Sequence, residues 1–257
     1  MNSEGKVSIW RVLNWMTIAR VAAYHIPNPE TSRTFLEYDK MTSNVYTFMA
    51  STKTTVSRDL YRMINADKSL DDSEIKLHLG YVGTSSLNSV ATLATKDGGP
   101  TLARNINQVV TVDKATRKSM PIPDWWKNEY ETSVVENERL VVAQEDVPLD
   151  NVFHYEMKVS WNEIDSYRHT NYQSYVKFCF DAAMDAVSKS FYTMLCEDIL
   201  KYNVKSIQCL YRGESVAGDI LKIASWEDKS NPYVLSFSVT KDSNMLFQSQ
   251  VEFYQDE

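Results

Sequence analysis

Two hydrophobic periods alternate along the chain. Leu13 to His25 carries the helical one: Leu13, Met16 and Arg20 fall on one side, while Trp15, Ile18, Ala19 and Ala22 form a broad apolar face. Pro27 and Pro29 end that helix. Phe35 to Ser57 is rich in Thr, Val, Tyr and Phe, which favours extended structure. Glu74 to Tyr81, Asn88 to Thr95 and Thr101 to Asp113 read as strands, with Asp97-Gly98-Gly99-Pro100 as the hairpin turn between the last two. Met120-Pro121-Ile122-Pro123-Asp124-Trp125-Trp126 reads as irregular, because two prolines remove backbone donors. The polar, acidic run from Glu129 to Asp150 reads as a connector, with Leu140 to Ala143 its apolar piece.

The order then recurs. Phe153 to Trp161 predicts a strand and Asn171 to Ser188 a helix. Lys201 to Tyr211, Ile220 to Trp226, Tyr233 to Thr240 and Met245 to Tyr254 predict strands, with Lys241 to Asn244 turning between the last two. A helix followed by several antiparallel strands, twice, predicts two similar α+β units of roughly 110 to 130 residues. The expected division is a first unit over 1–126, a connector over 127–150 and a second unit over 151–257. In the second helix Tyr172, Tyr175, Val176, Phe178, Cys179 and Phe180 are followed by Ala182, Ala183 and Ala186. So wide an apolar circumference implies a helix wrapped by a curved sheet.

Composition narrows the function classes. The net charge of −7 leaves no basic excess to replace phosphate counterions, so nucleic acid is not the expected partner. No stretch approaches the roughly twenty apolar residues of a membrane span. Val12 to Ile26 tempts a signal-peptide reading, but Arg20 and His25 interrupt it, and an ordinary helix is preferred. Cys179, Cys196 and Cys209 include no Cys-x-x-Cys pair and read as reduced, buried thiols. The four histidines form no His-x-x-x-His pair, so no metal site is expected. The expected compartment is the cytosol, with organellar import as the alternative. Gly80-Tyr81-Val82-Gly83-Thr84-Ser85-Ser86 lacks the Gly-Lys-Ser/Thr ending of a phosphate loop and reads as a strand-to-strand turn. The 15 Tyr, 9 Phe and 6 Trp suit a hydrophobic pocket and an ordinary core equally.

Candidate chemistry concentrates in Trp161-Asn162-Glu163-Ile164-Asp165-Ser166-Tyr167-Arg168-His169-Thr170-Asn171-Tyr172-Gln173-Ser174-Tyr175. Thr170 and Gln173 have capping-box spacing, which predicts a helix starting near Asn171. Asp165 and His169 then lie just upstream of a helix N-terminus, whose unpaired N–H groups can polarise a carbonyl. A base, a polar partner and an electropositive helix end are what acyl transfer to water requires. Asp165 is equally a loop aspartate bonded to backbone N–H groups. His169 is equally structural.

These residues resemble the double hotdog acyl thioesterases, most closely the plant-type acyl-ACP thioesterases. That family carries Asp-x-Asp-x-Asn-x-His-x-Asn-Asn-x-x-Tyr before a central helix. The run from Glu163 to Tyr175 keeps the second Asp as Asp165, the His as His169, the following Asn as Asn171 and the Tyr as Tyr175. Leu210-Tyr211-Arg212-Gly213-Glu214-Ser215 resembles the family's Glu-Tyr-Arg-Arg-Glu-Cys strand. Asp113 to Pro123 resembles the Thr-Arg-Arg-Leu-x-Lys-Ile-Pro segment closing its first unit. Two departures stand out: Tyr167 where the family has Asn, and Ser215 where it has Cys. The first unit has only Gly5 to Trp10 for a leading strand and no acidic-loop motif, so it is shortened or degenerate.

The resemblance implies two tandem hotdog units, each a central helix wrapped by an antiparallel sheet. It implies a hydrolase of fatty acyl-ACP or acyl-CoA, in lipid metabolism, with Asp165, His169 and Glu214 as the catalytic set. Two carboxylates beside one apolar tunnel would separate their pKa values and share a water. Glu214 is equally a salt-bridge partner of Arg212 or an exposed turn acid. Tyr167, Asn171, Tyr172, Tyr175 and Ser215 are the expected substrate-binding set, with the Asn171 and Tyr172 N–H groups polarising the carbonyl. The acyl chain would run between the helix and its sheet. No metal or redox cofactor is expected; the partner is an acyl thioester or its acyl carrier protein. The chain is expected to be a monomer with an internal pseudo-dimer, or a homodimer. The alternatives are a non-catalytic binder of acyl or aromatic ligands, and a hotdog scaffold turned to other chemistry.

Overall fold

The computed structural model describes residues 8–66 and 70–255. It is α+β, with the helix-and-antiparallel-sheet construction that the resemblance implies. The described residues divide into two compact units. One gathers residues 12–54 and 70–141; the other gathers 55–66 and 142–255 with residues 8–11.

In the first of these, helix α1 spans Ile9–His25 and strands β1 to β4 span Val45–Val56, Ser73–Val82, Ser86–Thr95 and Thr101–Asp113. The strands lie in the order β2-β3-β4-β1. The β3–β4 hairpin turns at Asp97 and Gly98, both at positive φ (59° and 75°), as the Asp-Gly-Gly-Pro cluster predicts. Segment 83–85 is the β2–β3 turn, as its missing phosphate-loop ending predicts.

Helix α1 begins four residues before its predicted start. Half of the leading strand expected over Gly5 to Trp10 lies outside the described residues, and Ile9 and Trp10 open α1 instead. The buried side of α1 also differs from the reading by hydrophobicity. Val12, Leu13, Met16 and Arg20 are buried, whereas of the broad apolar face Trp15, Ala19 and Ala22 are half-buried and Ile18 is exposed. Arg20 explains the choice. Its guanidinium donates to Ser89 Oγ (3.1 Å) and Ser89 O (3.1 Å), and to Asn105 Oδ1 (2.5 Å) and Asn105 O (2.8 Å). A buried arginine so satisfied keeps its helix face against the sheet.

Phe35 to Thr42, expected as strand, is instead a short 3-10 turn and helix α2 (Tyr38–Thr42). Leu36 and Glu37 at positive φ redirect the chain there. The Pro-rich segment is irregular only to Pro123, where helix α4 (Asp124–Tyr130) begins. A proline at a helix start forgoes a donor that has no intrahelical partner anyway. Trp126 on α4 is fully buried with Leu36, Met41, Leu79, Leu87 and Ile122, and donates from Nε1 to Leu36 O at 2.7 Å.

The other unit contains helix α3 (Arg58–Asn65), unforeseen in the sequence, whose Tyr61 hydroxyl donates to Val204 O at 2.8 Å. Strands β5 to β9 span Phe153–Lys158, Val204–Tyr211, Ile220–Glu227, Val234–Lys241 and Asn244–Phe253, in the order β6-β9-β8-β7-β5, antiparallel throughout. Helix α5 (Ser174–Ser188) buries Tyr175, Val176, Phe178, Cys179, Phe180, Ala182, Ala183 and Ala186, the wide face that the sequence predicts. The Tyr175 ring stacks on Phe247 of β9 at 5.2 Å, and Ser249 of β9 donates to Cys179 Sγ at 3.7 Å. Side chains therefore fill the space under this part of α5. Cys179 and Cys209 are buried, but Cys196 is exposed, against the expectation of three buried thiols. It lies in the loop after α5, outside the helix–sheet interface.

Candidate active site

The loop between β5 and α5 is built by short polar turns. Ser160 accepts from Asn162 N and starts a 3-10 turn over Trp161–Glu163. The chain then folds back on itself: Asp165 N donates to His169 O (2.8 Å), Arg168 N donates to Asp165 O (3.0 Å), and Arg168 sits at φ 65°. Asp165 anchors this turn with one oxygen. Its Oδ1 accepts from the Tyr167 N–H at 2.8 Å and the His169 N–H at 3.2 Å, so both bonds fall on the same atom. The loop role is real, and it holds the carboxylate in place for whatever its other oxygen does.

The helix entry differs from the capping box. Thr170 does not cap α5; its hydroxyl turns to Ser215. Asn171 instead forms a turn just ahead of the helix, whose N-cap position is Gln173. Its Oδ1 accepts from Gln173 N (2.9 Å) and its carbonyl from Ser174 N (2.8 Å), which delays the helix to Ser174. The Asn171 N–H is itself donated to Glu163 O at 2.7 Å. It is therefore committed to the loop, against the expectation that it polarises a carbonyl. Glu163 also meets Lys177 at 3.2 Å.

Glu214 arrives from β6. The Arg212 and Gly213 N–H groups both point at Leu246 O (2.8 and 3.1 Å), a bulge that bends the chain out of β6 just before Glu214. A Cβ at Gly213 would come within 2.6 Å of Leu246 Cδ2, so glycine suits this close approach where the resembling family has Arg. Glu214 Oε2 then lies 3.5 Å from His169 Nδ1, with both side chains partly exposed. The ion-pair partner is thus His169, which the sequence had not matched with Glu214, and not the Arg212 weighed there.

The remaining expected site residues separate into two groups. Tyr167 is on the surface, 69% exposed. Tyr172 is half-buried at the helix entry, where its carbonyl accepts from the Tyr211 hydroxyl at 3.2 Å. Tyr175 and Ser215, expected to touch substrate, are buried and hydrogen-bonded to each other at 2.9 Å. Burial holds the Tyr175 hydroxyl above the usual tyrosine range, against the opposing pull of its bonds to Ser215. Thr170, singled out only as a helix cap, joins them, as do Tyr211 and Phe247. Tyr211 lies inside the quoted Tyr-Arg-x-Glu run, so a signal existed for it; Phe247 and the bond of Thr170 become visible only through their partners. A cleft of about 360 Å³ lies at the other end of α5, lined by Phe191, Trp226 and Pro232 among others, away from this cluster. Among the described residues no group of three or more His, Cys, Asp or Glu is placed to hold a metal ion. Among the same residues no helix is long and apolar enough to cross a membrane.

No family model matches the chain, and no curated protein matches it by sequence. Solved structures do. A 12:0-ACP thioesterase from Umbellularia californica superposes with a TM-score of 0.73 at 17% identity, over 100% of this chain and 93% of that one. A putative oleoyl thioesterase from Lactobacillus plantarum gives 0.72 at 13% identity, over 100% and 92%. An acyl-ACP thioesterase from Bacteroides thetaiotaomicron gives 0.68 at 14% identity, over 99% and 93%. The whole chain thus has the fold of these proteins, a double hotdog.

Proposed function

We propose that this chain, sharing its full-length fold with acyl-ACP thioesterases, hydrolyses an acyl thioester carried on an acyl carrier protein or on coenzyme A. Residues 151–257 supply the chemistry. The observation that carries the reading is the approach of Glu214 Oε2 to His169 Nδ1 at 3.5 Å beside the turn anchored by Asp165. Glu214 accepts a hydrogen bond from Nδ1–H and fixes the ring, so that Nε2 faces the reacting water as an acceptor. Asp165 takes the proton as the water oxygen adds to the thioester carbonyl carbon. Collapse of the tetrahedral intermediate breaks the C–S bond, and the proton passes to the leaving thiolate, giving a free acid and a thiol.

A second reading, a binder of acyl chains without turnover, draws on Tyr167. An exposed ring stands where the resembling enzymes have a short amide. One assay separates the two: steady-state hydrolysis of acyl-ACP and acyl-CoA panels by the wild type and Asp165→Asn. The expected outcome is turnover that falls roughly 100-fold or more in Asp165→Asn. A wild type that binds acyl chains without hydrolysing any of them establishes the binder, and one that does neither sinks the thioester reading.

A further inference from the structure

Three hydroxyls meet in the interior beside the candidate site. Ser215 Oγ lies 2.7 Å from Thr170 Oγ1 and 2.9 Å from the Tyr175 hydroxyl. The Ser215 N–H donates to that same tyrosine oxygen at 3.0 Å. Ser215 O accepts from both the N–H and the hydroxyl of Thr170, at 2.8 and 3.0 Å. One proton arrangement satisfies all of these contacts. Tyr175 donates to Ser215 Oγ, Ser215 donates to Thr170 Oγ1, and Thr170 donates to Ser215 O. The Ser215 proton is then spent inside this network, and the residue, 1% exposed, is buried away from a substrate.

The residues on either side of this knot explain its use. Thr170 and Ser215 are joined by backbone and side chain, and the residue before each, His169 and Glu214, meets the other at 3.5 Å, so the clamped pair fixes how closely those two approach. We propose that Thr170, Tyr175 and Ser215 form a hydroxyl clamp that sets the Glu214–His169 separation, as positioning residues for the site described above. This rests on the hydrolase reading for its consequence in turnover, but not for its geometry. The clamp joins three separate pieces of chain: the loop before α5, the first turn of α5, and the segment leaving β6. It is reinforced downstream, where Val216 N donates to Asp219 Oδ2 at 2.8 Å. Ser215, standing at the Cys position of the resembling family, is thereby given a role that is not nucleophilic.

The test compares Thr170→Val, Thr170→Ser and Tyr175→Phe with the wild type. Misplacing a catalytic group by about 1 Å costs about 100-fold in rate, so Thr170→Val and Tyr175→Phe are expected to lower kcat by roughly 10- to 100-fold. KM should stay within about 2-fold, because neither hydroxyl touches substrate. Thr170→Ser keeps the hydroxyl and should restore kcat, which a merely packing role for the methyl group would not. A second readout needs no turnover: the change in the His169 ring ¹⁵N shift on Glu214→Gln, measured in wild-type and Thr170→Val backgrounds. The clamp predicts a clear change in the first and a diminished one in the second, with faster amide exchange at Ser215. An undiminished change, or Thr170→Val with wild-type kcat, overturns the proposal. If the wild type hydrolyses nothing, the hydrolase reading fails while the ring shift and amide exchange still decide the clamp.

Discussion

Asp219 closes the turn that follows Ser215. Its Oδ2 accepts from the Val216 N–H at 2.8 Å and from Lys241 Nζ at 2.7 Å, and its own N–H donates to Val216 O at 3.2 Å. Burial alone would raise this carboxyl, but Lys241 and the Val216 N–H outweigh it and hold Asp219 below the usual carboxylate range. A depressed folded-state value stabilises the fold above the unfolded-state value, and the contribution is lost as pH falls through the folded one. Asp219→Asn is therefore expected to lower the melting temperature by about 2–4 °C at neutral pH. The gap should close in acid, once the wild-type carboxylate is itself protonated. Melting curves of both proteins across pH check this; a gap that persists in strong acid would assign the loss to packing. At the residue scale the sequence shows which side chains are chemical but not which of them share an atom. Asp165 and His169 stand out by type and spacing. That Thr170 abandons the helix cap for Ser215, 45 positions away, is a long-range choice that no local spacing encodes.

Helix α1 carries the clearest conflict between local pattern and packing. The broad apolar face of Trp15, Ile18, Ala19 and Ala22 is only half-buried, with Ile18 exposed, and the face carrying Leu13, Met16 and Arg20 is buried. Hydrophobic periodicity ranks faces by side-chain transfer alone and gives a buried arginine no credit for four hydrogen bonds to Ser89 and Asn105. Asn105 in turn donates to Thr54 Oγ1 at 2.8 Å, which extends the network from β4 into β1. Arg20→Met keeps the aliphatic stem but leaves the buried Ser89 and Asn105 carbonyls without this donor. The expected cost is about 2–4 kcal/mol, read as a lower midpoint in urea unfolding. A change under about 0.5 kcal/mol would mean that water replaces the guanidinium at no cost. Strands β2 to β9 are legible because alternation and β-branched content agree with turn residues at their ends. Helix α3 is not, since its eight residues form too short a window for a periodic signal.

The connector is where the whole chain departs most from its composition. An acidic, polar stretch between two units suggests a loose tether, yet its backbone is tied to strands, its first part to those of one unit and its second part to those of the other. Val135 N and Asn137 N donate to Leu79 O and Gly80 O. Asn88 Nδ2 donates to Glu138 O, and Leu140 N donates to Gln108 Oε1 at 3.1 Å. Further on, Glu145 exchanges bonds with Gln248 in both directions and reaches Ser236 and Gln250 with its carboxylate. Buried Asn88, Gln108 and Gln248 on the strands serve as acceptors and donors for a segment that forms no strand of its own. Those amides are the sequence signal for a covered sheet face, because a polar group at a buried position needs a partner. Arg139 lies between Glu138 and Leu140, both held in this way, so the bond after it should resist trypsin although Arg139 is exposed. Gln108→Leu removes the acceptor of the Leu140 N–H and is expected to open this stretch. Limited trypsin digestion read by mass spectrometry should then find a cut after Arg139 in Gln108→Leu at times when the wild type is intact there. Early cutting of the wild type at Arg139 would return the connector to the loose tether that its composition suggests.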